Sequence, residues 1–600
     1  MENNKFEEEV FEMKNAKGTI KKLIKSMLKQ KIRLFIVIIS VIFYATLNII
    51  APLYSAKVVD IIWDNIKQSL TLGKSFRITW EIGGFQIFTL LLIYIACGLF
   101  YSLQNFIMSS FAEKLNLHLR EEISGKLQKL NLEYYDKYRV GEIMSPVIND
   151  LDKLSEALQT GLLKLFTAIA NIIGAILIMF SFSVTLTVVF LAFTGISLLL
   201  TKIVSKKSLK YASERQSYIS KLNGLIEESY SGRMIIKAFN YENTSSVRIH
   251  KATEELAKIN RKTDFIINAI NPIIRLVNRF GQVVIAVFGA LMLLNGKFSP
   301  GKFQAFFQYV NQAGEPITEM SFMINSIQSA LASVERVYKL LEEKEITDDS
   351  KLISKLENIK GNVSFRNVKF GYSEDNLLIK NVSFEAKSGQ KIAIVGSTGA
   401  GKTTLINLLM RFYDINGGNI LLDEYDAKNI SRAALRENFG MVLQDTWLFE
   451  GTIAENIAYG KSCATREEII EAAKIARADF FIRTMADGYD TILNNDTENI
   501  SIGQRQLLTI ARVVLCNLSI LILDEATSSV DTKTEIEIVK AMKSLMQNRT
   551  SFVIAHRLST IIDADLILVM QSGNIIEQGN HKELLNAKGY YYELYNSQFA

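Results

Sequence analysis

Long uncharged apolar runs fill the first half of the chain, and the second half is built from short ones. Residues 34–56 carry no charge over 23 positions, 82–112 none over 31 and 165–201 none over 37. A bilayer core takes about 20 apolar helical residues, so the first two runs predict one membrane span each. As one helix the third would be roughly 55 Å long; it predicts a hairpin turning near Ser181–Ser183. Fainter apolar stretches follow. The six predicted spans lie at about 34–56, 85–112, 160–181, 184–204, 268–296 and 303–326. Between spans two and three, and again between four and five, the pattern is charged and helical for about 50 and 60 residues. These helices must project beyond the bilayer. Turn-like breaks at Tyr135–Glu142 and Glu228–Gly232 predict the hairpin tips, either simple turns or contacts onto the later domain. Ahead of the first span, residues 17–33 set Ile20, Leu23, Ile24, Met27 and Leu28 on one helical face among lysines. That pattern predicts a helix lying along the membrane surface, with a solvated basic tail as the alternative.

The pattern changes past residue 335. A polar stretch around Leu341–Ser350 marks a linker over 336–355, and 356–600 forms a second domain. There, β-rich runs (Asn362–Phe370, Lys391–Val395, Ser519–Leu523, Ser551–Ala555) alternate with helical ones, as in an α/β fold with a largely parallel sheet. Lys and Arg place the ends: nine fall in the first 33 residues and thirteen in 202–263, and few near the other turns. Both termini and the second domain are therefore expected on the cytoplasmic side of the cell membrane. The acidic, polar start does not read as a cleavable signal peptide. The net charge of +6 follows from the inner-loop lysines, and no basic–aromatic patch recurs, so no nucleic-acid partner is expected. Cys97, Cys463 and Cys516 have neither metal nor disulfide spacing.

Candidate chemistry lies in the second domain. Gly396-Ser397-Thr398-Gly399-Ala400-Gly401-Lys402-Thr403-Thr404 follows the apolar run Lys391–Val395, the strand–loop–helix setting of a P-loop. Its glycines let successive N–H groups converge on phosphate oxygens, and the helix start adds its dipole. Lys402 suits the β- and γ-phosphates, and Thr403 suits Mg²⁺. Ile520–Asp524 is an apolar strand ending in the carboxylates Asp524 and Glu525. One is suited to a metal shell, the next to an attacking water. Gln444 follows Val442-Leu443, Ser501-Ile502-Gly503-Gln504 opens a helix, Asp531 comes soon after the carboxylates, and His556 ends a strand.

In the order Tyr372, P-loop, Gln444, Ser501–Gln504, Asp524-Glu525, Asp531 and His556, this set resembles an ATP-binding cassette. With six spans ahead of it, the whole chain is similar to the exporter half-transporters of the ABC superfamily. The resemblance implies an α-helical six-span transmembrane domain followed by an α/β P-loop cassette, with ATP and Mg²⁺ as cofactors. It also implies roles. Tyr372 would stack on adenine. Thr403, Gln444 and Asp524 would hold Mg²⁺. Glu525, His556 and Gln444 would serve catalysis. Asp531 would cross a dimer interface, where Ser501, Gly503 and Gln504 would complete the partner's ATP site. The tips near Gly141 and Gly232 resemble coupling helices. Two departures stand out. The family's signature usually reads Leu-Ser-Gly-Gly-Gln, whereas Ile502 takes its third place, and Asn494–Asn499 lacks the family's usual preceding Gly-Glu-Arg-Gly pattern. They favour a heterodimer with a second half-transporter, with a homodimer as the alternative.

Four charges fall inside the last two spans. Arg279 lies about 27 Å below Lys297, and Glu319 about 26 Å below Lys302. At matched depth they are expected to pair. Glu315, beside Pro316, is the candidate substrate-site residue, complementary to a cation; Arg275 has no assigned role. The function expected is ATP-driven export of small lipophilic or amphipathic substrates (drugs, lipids or peptides) by alternating access. The alternative is an ATP-gated or signalling membrane protein that switches without pumping.

Overall fold

A computed structural model describes residues 16–73, 78–373, 376–443, 446–461, 463–494, 499–524, 531–555 and 561–599. Gln444, Glu525 and His556 lie outside them. The chain divides into two compact units. One runs to Gln128 and resumes over Arg139–Glu343; the other joins Lys129–Tyr138 to the chain from Lys344 onward.

The described residues of the first unit are mainly helical. After a short helix at Ala16–Leu28 come Lys31–Thr71, Gly84–Leu127, Leu163–Phe182, Val184–Ser231, Glu242–Leu294 and Pro300–Glu342. At 41 to 53 residues, five of these six are about twice as long as a 30 Å hydrocarbon layer requires. Among the described residues, five helical stretches are long and apolar enough to cross a membrane: Lys31–Thr71, Gly84–Leu127, Val140–Phe182, Val184–Val204 and Pro272–Leu294. Pro300–Glu342, the sixth long helix, is interrupted by Glu315 and Glu319 and is not among them. The hairpin between the third and fourth breaks at Ser183, which is extended at φ −160°, ψ 115°. Its hydroxyl accepts from the Leu186 N–H at 3.4 Å, capping the helix that follows. Lys31–Arg33 belong to the first long helix, so the surface-type helix stops at Leu28.

Two polar contacts pin this bundle. Asp60 accepts from Ser299 Oγ at 2.6 Å and from the Gly301 N–H at 2.7 Å, satisfying the first turn of Pro300–Glu342. Toward the other end, Arg336 donates to both oxygens of Asp150, whose side chain is 1% exposed. Asp150 closes one of two π-helical turns, Pro146–Asp150 and Ala157–Leu162.

The second unit carries two main sheets. β1 (Val363–Phe370), β2 (Ile379–Ala386), β4 (Gly417–Leu422) and β5 (Tyr425–Asp426) form an antiparallel sheet ordered β2-β1-β4-β5. The larger sheet holds β3 (Lys391–Val395), β6 (Phe439–Val442), β9 (Ile520–Asp524), β10 (Thr550–Ile554), β11 (Leu566–Gln571) and β12 (Asn574–Gly579), ordered β12-β11-β3-β10-β9-β6. It is parallel except for β12. A two-residue pair, β7 (Gly451–Thr452) and β8 (Ile492–Leu493), stands apart. Ile392, Ile394, Phe552 and the helix Lys402–Leu409 share one core with the antiparallel sheet. Leu507, Leu508 and Ile510 of the helix Ile502–Cys516 build a second. The P-loop helix and the signature helix thus rest on different hydrophobic clusters.

Candidate functional site

Parallel pairing brings the chemistry to one edge. Ile394 of β3 is level with Ile554 of β10, and Ile554 is level with Asp524 of β9. Asp524 therefore stands two strand spacings, roughly 10 Å, from the end of the strand that feeds the P-loop. The carboxyl ends of parallel strands are where such folds bind ligands. Between β3 and its helix, Gly396, Gly399 and Gly401 adopt φ of +155°, +81° and +102°. A Cβ on Gly396 would lie 2.3 Å from the Met570 carbonyl oxygen, so this position admits only glycine. Gly401 caps the helix Lys402–Leu409. Ser397 and Ala400 close a turn at 3.1 Å, and the Ala400 carbonyl accepts from the Gly573 N–H at 2.9 Å. Lys402 Nζ folds back over the loop to donate to the carbonyls of Gly396 at 2.7 Å and Ser397 at 3.1 Å. Burial lowers the pKa of its ammonium group, and the Asp524 charge opposes that shift. The Asp524 carboxylate and the Lys402 ammonium thus lie within electrostatic reach of each other beside the loop. Thr398 and Thr403 belong to the same loop and helix start, and Thr404 is buried.

The aromatic side of the site joins it. Tyr372 Oη hydrogen-bonds Thr404 Oγ1 at 3.1 Å, and the ring is half exposed. It meets Phe370 and Tyr413 edge to face at 5.0 and 5.2 Å. Tyr413, which the sequence did not single out, donates to Asp136 of the helix Leu132–Lys137. Burial and that carboxylate both push its phenol pKa up. Leu132 packs on the same core, and Ile346 N donates to the Lys129 carbonyl at 2.8 Å. Contact at the first tip is therefore made by residues ahead of Gly141, which lies in the helix Val140–Ser145. At the other tip Gly232 ends Val184–Ser231.

Ser501 and Gln504 cap one helix start reciprocally. Gln504 N donates to Ser501 Oγ at 3.2 Å and Ser501 N to Gln504 Oε1 at 2.9 Å. Gly503 is buried, while Ile502 is 50% exposed. Asp531 caps Thr532–Met546 by accepting from the Thr534 N–H at 2.9 Å, which holds its carboxyl below its ordinary range.

Comparison with known proteins follows the same division. A model of the ABC transporter transmembrane region matches residues 34–317, and an ABC transporter model matches 379–528. The fatty acid ABC transporter ATP-binding/permease protein of Mycobacterium tuberculosis is 42% identical over 504 residues, 84% of this chain and 80% of that protein. The chain belongs to the ABC transporter family. The transporter is also 34% identical over 586 residues to an ATP-dependent lipid A-core flippase of Desulfotalea psychrophila, covering 97% and 100% of the two chains. Its fold matches a bacterial Atm1-family ABC exporter with ATP bound at a TM-score of 0.73, with 28% identity over 96% of this chain and 99% of that one. It is thus an exporter ATPase: the cassette binds ATP, and hydrolysis is coupled to transport through a membrane-spanning helical domain.

In that helical unit, Val184–Ser231, Glu242–Leu294 and Pro300–Glu342 enclose a cavity of about 390 Å³ lined by Arg275, Asn278, Arg279, Gln282, Glu315 and Glu319 among others. The expected Arg279–Glu319 ion pair does not form. Arg279 donates instead to Gln282 Oε1 at 3.0 Å, and Gln282 donates to Asn311 Oδ1 at 2.7 Å. Gln282 lies one turn along the same helix and supplies a neutral acceptor at closer reach. Both side chains line this cavity, but a matched count of residues along two helices says nothing of lateral reach.

Proposed function

We propose that the transporter exports amphipathic molecules with a polar headgroup across the cytoplasmic membrane, as half of a dimer, with both termini and the cassette in the cytoplasm. The observation that carries the nucleotide half is the register placing Asp524 level with the strand behind the P-loop. The P-loop N–H groups from Gly396 to Thr404 and Lys402 would hold the triphosphate, and Tyr372 the adenine. Thr403 and Asp524 offer hard oxygen ligands on one edge, a set that suits Mg²⁺ completed by phosphate oxygens and water; Gln444 would join them. The metal would neutralise developing phosphate charge. Glu525, next along from Asp524, would orient and deprotonate the attacking water, and His556 would contact the γ-phosphate. Ser501, Gly503, Gln504 and Asp531 would act across the dimer interface. Ile502 favours an unequal partner there.

The polar cavity around Glu315 is the proposed substrate site. Ionisable side chains at membrane depth are costly and mark pathways. The named relatives handle a fatty acid and a lipid, which are amphiphiles. Export assayed in inverted vesicles tests this reading. Uptake should need ATP and fail in Lys402→Ala, while Glu525→Gln should bind ATP yet turn over on the order of 10²–10⁴ times more slowly. Nucleotide-driven conformational change without any vesicle uptake would support gating instead. Glu315→Gln should selectively impair substrates that carry a cationic group. Equal losses for neutral and cationic ones would remove Glu315 from the site.

A further inference from the structure

A second cavity, sharing no lining residue with the polar one, opens beneath the N-terminal helix. It measures about 720 Å³, and every residue lining it is apolar. Leu23 and Met27 come from Ala16–Leu28, Val41 from the first span, Leu158 and Phe166 from the third helical stretch, and Leu331 from the last helix. Ile24 and Phe166 remain about half exposed, so the cavity opens sideways. A polar guest would lose its water there without compensation, whereas a hydrocarbon chain would not. The size falls within the range of small-molecule sites, roughly 300–1,000 Å³.

Charge at the rim narrows the choice. Lys17, Lys21 and Lys25 recur one turn apart along the flank of the apolar face. Lys22 and Lys29 are engaged by Glu342 and Glu122, but Lys17, Lys21 and Lys25 have no carboxylate within 4.0 Å among the described residues. Cations that no described carboxylate neutralises, flanking a dry cavity, complement an acid at the head of an acyl chain. We propose that this cavity holds an acyl chain of an anionic membrane phospholipid, its phosphate seated on Lys21 and Lys25, and that this lipid fastens the N-terminal helix to the bundle.

The test uses the full-length transporter with its partner chain in nanodiscs of equal phosphatidylglycerol and phosphatidylcholine, followed by native mass spectrometry. Phosphatidylglycerol should be retained preferentially. A photoreactive group at the end of its acyl chain should label Leu158 or Phe166. Lys21→Gln with Lys25→Gln should weaken its retention by about fivefold per lysine and leave phosphatidylcholine unchanged. Ala157→Phe, which fills the cavity, should abolish the label; should that variant not fold, the exposed lysine pair still decides. Equal retention of the two phospholipids, or a label spread evenly over the spans, overturns the proposal. Displacement of phosphatidylglycerol by oleate at equal concentration overturns it too, by assigning the cavity to free fatty acid.

Discussion

Removing the Tyr372 ring should separate the proposed adenine contact from the phosphate half of nucleotide binding. The ring is half exposed and tethered to Thr404, two residues beyond Lys402. A base stacked on an aromatic side chain gains about 1–3 kcal/mol, so Tyr372→Ala should weaken ATP binding roughly 5- to 150-fold. Tyr372→Phe keeps the ring and loses only the 3.1 Å hydroxyl contact, a solvent-accessible bond of about 1 kcal/mol or less. Its ATP affinity should stay within about fivefold of the parent. Calorimetric titration with a non-hydrolysable ATP analogue measures both, and tripolyphosphate serves as the control, since it meets the P-loop alone. Tripolyphosphate should bind all three proteins alike. Affinity for the analogue within about twofold of the parent in Tyr372→Ala would refute the stacking role. So would parallel losses of analogue and tripolyphosphate, which would mean that the loop itself had shifted.

Arg336→Ala leaves Asp150, 1% exposed, as a buried carboxylate without its guanidinium; thermal melting should show a loss of about 3–5 kcal/mol, with Asp150→Asn recovering part of it in the double variant. Gly396→Ala should impair ATP binding far more than Gly399→Ala. The first methyl would sit 2.3 Å from the Met570 carbonyl, whereas the second meets nothing within 4 Å and adds only left-handed strain of about 1–2 kcal/mol; the reverse ranking in the same titration would discredit the loop geometry. The Asp531 carboxyl is held below its ordinary range by the Thr534 N–H, so its contribution to the helix Thr532–Met546 is present above about pH 4 and is lost as pH falls through the lower folded value. Asp531→Ala should accordingly be less stable than the parent at neutral pH, and the gap should close in acid; a gap independent of pH would contradict the capping role.

What the sequence disclosed was chemistry that is local along the chain. The P-loop needs glycines and a lysine within nine consecutive residues, and a turn at Ser183 follows from the length of an uncharged run. The strand reading at Ile520–Asp524 follows from composition alone, and sheet order then does the rest, because parallel β3, β10 and β9 align their carboxyl ends. Contacts made at a distance were illegible. Nothing near Tyr413 in sequence announces Asp136, 277 positions away. The Arg279 partner is not legible either, because a count along two helices does not fix which way side chains face, and the neutral amide of Gln282 at i+3 lies closer than a carboxylate on another helix. The apolar cavity under the N-terminal helix was likewise invisible, since its lining residues read as ordinary lipid-facing positions.

The signature segment separates what folding demands from what partnership demands. Ser501 and Gln504 cap each other's backbone, so helix stability alone accounts for both. Gly503 is buried. Ile502 does neither: it is the first helical residue, half exposed, and a β-branched side chain there gains little from the helix. Its identity can matter chiefly to whatever docks on that helix start. Ile502→Gly therefore makes a directional test. In the assembled transporter it should raise single-turnover hydrolysis of ATP held by the partner's P-loop, where closer backbone approach becomes possible, and leave the site built on Lys402 unchanged. The substitution itself costs the helix about 1 kcal/mol or less, too little to unfold the cassette. If both sites respond equally, or if neither does, Ile502 is a tolerated surface residue and the case for an unequal partner loses its physical basis.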